Sequence, residues 1–307
     1  MIMRVTSLNT AATMMRNINN NASSMNKLMD QMAQQTRLLV PSDDPIASTR
    51  MIQISREQAA IGQYKSNIST VSGSLAQQET HMDSINKQLL AMRDKLLIAS
   101  NGTNTSENMD GYGNELQAMM ESIVAELNTK NEDGRYIFSG TKTSEQTVMF
   151  DEASGKYVFQ GNNEQRESTV ANGIDIKENT TVGDVFFNGN DDLLNDLNSL
   201  VGMLKDPNTD FNSPEFNDAM KNMIDTVDNG IGSVASKITG LGGRQNTISM
   251  LNDTHVDVAT SNELIQKDLS DLDYPTASIK LNGYLLAAQA TQATYVKINN
   301  LSLFDAI

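Results

Sequence analysis

Apolar residues recur every seven positions along most of this chain. Near its start, one row runs through Leu8, Met15, Ala22, Met29 and Thr36. A second row, three residues on, runs through Ala11, Ile18, Met25, Met32 and Leu39. Nine of these ten positions are apolar, and the residues between them are mostly Asn, Gln, Ser and Thr. The pattern predicts a coiled-coil helix with a weak seam, because its apolar side chains are small or flexible. The strongest repeat follows in Ile54, Ile61, Ile68, Leu75, Met82, Leu89 and Leu96, flanked by Tyr64, Val71, Gln78, Ile85, Met92 and Ala99. A helix over 46–99 would be roughly 80 Å long, against an average of about 11 residues for a globular helix. Asn101-Gly102 supplies a C-cap signal for it. A third helix is predicted from Met109 to Lys130, with Met109, Leu116 and Ile123 beside Tyr112, Met119 and Leu127.

The rhythm changes after Asn131-Glu132-Asp133-Gly134. Nine of the fifteen aromatics lie between Tyr136 and Phe216. Short runs (136–138, 147–150, 157–159 and 168–170) are separated by Ser139-Gly140, Ser154-Gly155, Gly161-Asn162, Asn172-Gly173 and Asn188-Gly189. They predict an antiparallel module of about five strands. A short helix is expected over 191–205. Ser213 and Pro214 then open another, as cap and first residue. Its rows are Met220, Val227, Val234 and Leu241, with Ile224, Ile231 and Ile238 between, and Gly240, Gly242 and Gly243 are expected to bend or end it. The last row is Leu251, Val258, Ile265, Leu272, Ile279, Leu286 and Ala293.

Two proline-bearing breaks interrupt the repeats. In Val40-Pro41-Ser42-Asp43-Asp44-Pro45 the prolines end a helix near Leu39 and start another near Pro45, with Asp44 or Ser42 as cap. The second break is Asp271-Leu272-Asp273-Tyr274-Pro275. The layout is near-palindromic, so the first and last helices can pair, and the two inner ones likewise. The expected fold is mainly α with a small β insertion (α+β). It is an elongated bundle of heptad helices from both ends of the chain, with the β-rich module at its tip. The expected divisions are an N-terminal arm over 1–42, helical rod segments over 43–135 and 213–272, an exposed module over 136–212, and a C-terminal arm over 273–307.

Charge sharpens this division. The net charge is −15, yet residues 101–232 carry 24 acids and 8 bases, while the two ends together are nearly neutral. Near-neutral ends suit dense packing against other chains, and an acidic middle suits a solvated module. No basic patch points to nucleic acid. No run is long and apolar enough to insert in a membrane, and no cleavable signal is evident at the start. With 18 Met, no Cys and no Trp, disulfide and thiolate chemistry are excluded.

Catalytic chemistry finds no foothold. His81 and His255 are far apart, both within helical repeats, and His255 is read as a partly buried helix residue. They make no zinc-type set. Asp43 and Asp44 are read as cap and helix-dipole partners rather than cation ligands. No phosphate-loop spacing occurs. The expectation is a protein that is not an enzyme, with no cofactor and no metal.

At several points the sequence resembles the bacterial flagellin family, and within it the hook–filament junction proteins. Arg4-Val5-Thr6 with Asn9 is similar to the family start, and Arg37 through Ala47, with Pro41-Ser42-Asp43-Asp44-Pro45, to its Asp-Asp-Pro element. The segment from Asp133 to Gly140, with Tyr136, Phe138 and Gly140, resembles the family's exit from the helical region, and Asp273-Tyr274 its acidic-Tyr element. The ending Leu301-Ser302-Leu303-Phe304-Asp305 is similar to the junction proteins rather than to flagellins. The likeness covers roughly 3–140 and 240–307.

The resemblance implies a structural protein exported by the flagellar type III apparatus without a cleaved signal. It implies a location outside the cell at the hook–filament junction. The implied partners are hook-associated protein 1, flagellin, like subunits in a ring, and an export chaperone. The arms are then expected to order on assembly along seams including Leu8, Met15, Ile18, Ala22, Met25, Met29, Met32 and Leu39. On the other arm the seam runs through Ile279, Leu286, Ala293, Leu301, Leu303 and Phe304. A filament subunit proper, or a coiled-coil binding or signalling module, would share many of these features.

Overall fold

The computed structural model of the chain describes residues 2–101, 105–189 and 192–304. Its elements are α1 (Ile2–Gln34), α2 (Pro45–Ala99), α3 (Ser106–Leu127), β1 (Val148–Asp151), β2 (Lys156–Phe159), β3 (Glu167–Ala171), β4 (Ile174–Lys177), α4 (Gly183–Phe186), α5 (Leu193–Lys205), α6 (Pro214–Ser270) and α7 (Tyr274–Phe304). It is mainly α with two small antiparallel sheets, β1–β2 and β3–β4. Contacts gather the chain into two compact units, Met1–Ala60 with Asp257–Ile307, and Ile61–Val256. The divisions fall inside α2 and α6 rather than at the proline breaks.

The larger unit holds one continuous apolar core. From Ile68 to Leu96 the α2 row is buried together with Val71, Ile85, Met92 and Ala99. It joins Met109, Leu116, Ile123 and Leu127 of α3, the apolar face of α5, and Val227, Val234, Leu241 and Ile248 of α6. The expected break of α6 at Gly240, Gly242 and Gly243 does not occur; the helix runs unbroken for 57 residues. Each glycine costs about 1 kcal/mol relative to Ala. The row Met220, Val227, Val234, Leu241, Ile248, His255 and Asn262 stays buried straight through, and tertiary burial outweighs that cost. Gly230 has a packing role: a Cβ there would lie 2.6 Å from Leu193 Cδ1.

Among the described residues the β module has four strands, not about five. Tyr136–Phe138 is a bend in which Ile137 and Phe138 are buried, with a bridge from Tyr136 to Lys130. Gly140 closes that bend at φ +73°, and a Cβ on it would strike the Asn162 backbone. Asn172-Gly173 forms the two-residue turn between β3 and β4, with Gly173 at φ +73°. Asparagine side chains satisfy backbone groups of these short strands. Asn128 pairs with both Val148 N–H (2.9 Å) and Val148 C=O (2.8 Å). Asn195 does the same for Tyr157, at 2.7 and 2.9 Å. The buried Gln78 amide donates to Glu178 C=O (2.8 Å) and accepts from Thr180 N–H (2.6 Å), tying the end of β4 to α2. From α6, Arg244 donates to Lys177 C=O (2.8 Å) and Thr180 Oγ1 (2.7 Å).

In the smaller unit α1 and α7 pair. α1 stops at Gln34, before the expected Leu39, because Gln35 turns left-handed at φ 56°. α2 starts on Pro45 as expected, with the Asp44 carboxylate accepting Ala47 N–H at 3.0 Å. Pro275 lies in the first turn of α7, where its missing donor costs little.

Candidate assembly surface

The two breaks meet. Thr36 and Asp271 form an antiparallel bridge, and Arg37 N–H donates to Ser270 C=O at 2.8 Å. The Arg37 guanidinium donates to Leu269 C=O (2.7 Å) and to Asp44 (3.1 Å). Tyr274 O–H closes the other side on Met32 C=O at 2.6 Å. Along the arms, Asn21 donates to Tyr284 C=O at 2.9 Å.

Three carboxylates of the latch are held ionised by local donors. Lys27 and the N–H groups of Leu39 and Val40 converge on Asp43 and hold its carboxyl below the usual range. Ala47 N–H, then Arg37, does the same for Asp44. The Thr276 hydroxyl and N–H do so for Asp273. These bonds make Asp43, Asp44 and Asp273 turn and cap partners; among the described residues no group of three or more potential metal ligands occurs. Pro41, Ser42 and Pro45 are exposed, and Ser42 leaves the capping to Asp44. Thr36, a position of the first seven-residue row, and Arg37 carry the cross-connection, which nothing in the periodicity signals.

The seven-residue rows divide between faces. On α1 the side toward α7 carries Met14, Ile18, Asn21, Met25, Leu28 and Met32. The row through Met15, Ala22 and Met29 is exposed, Met15 at 50% and Met29 at 43%. On α7 the least exposed positions are Ala277, Leu281, Tyr284, Ala288, Thr291 and Tyr295. The expected arm seam through Ile279, Leu286 and Ala293 is corrected for this pairing: Ile279 is 74% and Leu286 67% exposed, and Ala293 is exposed. Two positions along a helix is about 200° of rotation, so that row lies opposite the paired one. Leu39 is half-buried outside α1. The side chains of Leu8, Leu301, Leu303 and Phe304 lie outside the described residues.

Tyr136, Phe138 and Gly140 belong to the larger unit and explain themselves structurally. Phe138 is fully buried, Lys130 Nζ sits 4.6 Å above the Tyr136 ring, and Gly140 C=O accepts from Arg166 at 2.6 Å. The histidines are likewise engaged. His255 is buried, stacked on Tyr64 and bonded to Val170 C=O at 2.8 Å. His81 contacts Glu126 at 2.6 Å. No described helix is long and apolar enough to cross a membrane.

Comparison with known proteins agrees with this architecture. A model of the bacterial flagellin N-terminal helical region matches residues 5–143. Over 310 residues, 95% of each chain, the sequence is 25% identical to flagellar hook-associated protein 3 of Escherichia coli. A solved structure of a flagellar hook-associated protein from Vibrio parahaemolyticus matches with a TM-score of 0.68 and 32% identity, covering 75% of this chain and all of that one. Flagellar hook-associated protein 3 from Legionella pneumophila shares the fold at a TM-score of 0.63, with 16% identity over 71% of this chain and 98% of that one. The chain therefore belongs to the flagellar hook-associated proteins, a structural family of the bacterial flagellum.

Proposed function

We propose that this chain is the junction layer between the flagellar hook and its filament. The observation that carries the proposal is the pair of arms. α1 and α7 are latched together at both breaks, yet each keeps an apolar row unpaired: Met15, Ala22 and Met29 on one, Ile279, Leu286 and Ala293 on the other. Such rows gain stability only by burial against further chains. Repeated head-to-tail or side-by-side contacts of this kind build rings and helical arrays. The partners on either side are hook-associated protein 1 and flagellin, with like subunits around the ring. The relatives' names, and the junction-type ending at Leu301–Asp305, support that assignment. Export through the type III apparatus, with a chaperone bound to the C-terminal region beforehand, completes the reading, and no catalytic step is part of it.

Deletion of the gene tests it. Intact hooks, absent filaments and flagellin released into the medium are expected. Normal filaments in the deletion strain would overturn the proposal. Long filaments grown by the purified protein alone would make it a filament subunit instead.

A further inference from the structure

The chain has no cysteine and 18 methionines, so oxidants that spare disulfide chemistry still find sulfur here. The methionines are sharply sorted by exposure. Met82, Met92 and Met120 of the larger unit are at most 1% exposed, whereas Met15, Met29, Met149 and Met250 are 50%, 43%, 43% and 70% exposed; of these four only Met15 and Met29 lie on an arm helix. These two share one row of α1, seven-residue steps apart with Ala22 between them. That row is the one assigned above to contacts with other chains.

We propose that Met15 and Met29 form an oxidation-sensitive modification site, where conversion to the sulfoxide blocks incorporation of the subunit. The inference rests on the junction reading. The co-reactant is a peroxide. A thioether sulfur lone pair takes one oxygen, the O–O bond breaks as the S–O bond forms, and the departing oxygen leaves as water. The sulfur loses two electrons and the peroxide gains them. The product carries a polar S–O dipole where an apolar, flexible side chain stood. In the free subunit that dipole points to solvent and the helix pair survives. In an assembled array it is buried without a partner, which disfavours assembly. Reactivity is therefore confined to subunits not yet built in, and sulfoxide reductases reverse the block.

The test uses the full chain and hydrogen peroxide. Peptide mass spectrometry is expected to show sulfoxide at Met15 and Met29 appearing at least about tenfold faster than at Met82, Met92 and Met120, with an unchanged circular dichroism spectrum. Treated and untreated protein are then added, with flagellin, to hooks from the deletion strain. Filament starts are expected to fall about tenfold on treatment and to return after methionine sulfoxide reductases. Met15→Leu/Met29→Leu, compared with its own untreated sample, is expected to lose less than about twofold; Met149→Leu/Met250→Leu is expected to lose as much as the parent. Equal oxidation of exposed and buried sites would overturn the inference. So would full activity of protein oxidised at both positions, or an equal loss in the α1 double variant. Untreated protein that starts no filaments would overturn the junction reading, and this inference with it.

Discussion

Along α2 the seven-residue row from Ile54 to Leu96 is buried at every step. Along α1, among the described side chains, Leu28 alone reaches that degree of burial, at 7% exposed. Both helices are written in the same repeat, so periodicity is not what separates them. The difference lies in how many elements share each row. The α2 row contributes to a core that α3, α5, α6 and the β strands all enter. α1 pairs with α7 in its own unit, and a helix pair buries only one stripe of each member. On the proposed reading, a repeat with spare apolar rows outside its helix pair is a half-built interface whose remaining half meets other chains.

Breaking a seam on the crowded side should hurt most. Leu89 is fully buried in the core of the larger unit. Leu89→Ala is expected to cost about 3 kcal/mol of unfolding free energy, read from the denaturation midpoint of that unit. A cost below about 1 kcal/mol would mean the core collapses freely around the gap, and the contrast with α1 would lose its basis.

Arg37→Ala attacks the latch rather than a core. It removes the bond to Leu269 C=O that joins the two breaks, and the bond to Asp44 within the first. The expected loss is about 1 kcal/mol, confined to the arms. Amide exchange in α1 and α7 should quicken about fivefold, with the core of the larger unit unmoved. Equal acceleration in both regions would contradict a locally held latch.

The same contrast explains what the sequence could reveal. The α2 row, the start at Pro45 and the pairing of the two ends were all legible, because a long strict heptad and a proline leave few alternatives. The glycines at 240, 242 and 243 misled, since propensity is local while the buried row through Leu241 is set by contacts far along the chain. The α7 face was unreadable for a different reason. Leu285, Leu286, Ala287 and Ala288 place apolar side chains on several faces at once, and Tyr284 and Leu281, rather than Leu286, lie on the less exposed side. The Tyr136–Phe138 run looked like a strand by alternation, but Gly134 and Gly140, both at positive φ, turn the chain on either side of it.

Acid should separate the regions more gently. Asp43, Asp44 and Asp273 all have carboxyl groups held below the usual carboxylate range by hydrogen-bond donors around them in the folded chain. A group lowered on folding contributes stability above its unfolded pKa and loses it as pH falls through the folded one. The arms are therefore expected to be fully latched above about pH 5 and to loosen progressively below about pH 4. Limited proteolysis near Pro41 and Pro275 across that range measures it. Cleavage that slows on acidification, with the protease's own pH dependence corrected on a peptide standard, would reverse the sign and remove these carboxylates from the latch.

The smallest effect is the most discriminating. Leu286 is 67% exposed and opposite the face that pairs with α1. If its row is idle in the isolated subunit, Leu286→Ala should change monomer stability by less than about 0.5 kcal/mol. The same change should impair filament initiation on hooks, because a leucine buried against another chain carries about 1.5–3 kcal/mol. A monomer as badly destabilised as by Leu89→Ala would place Leu286 in an intrachain core and abolish the distinction between the two helix pairs. A stable monomer that still initiates filaments normally would leave the outward row of α7 without a partner, and the assembly contact would have to be carried by the α1 row of Met15, Ala22 and Met29.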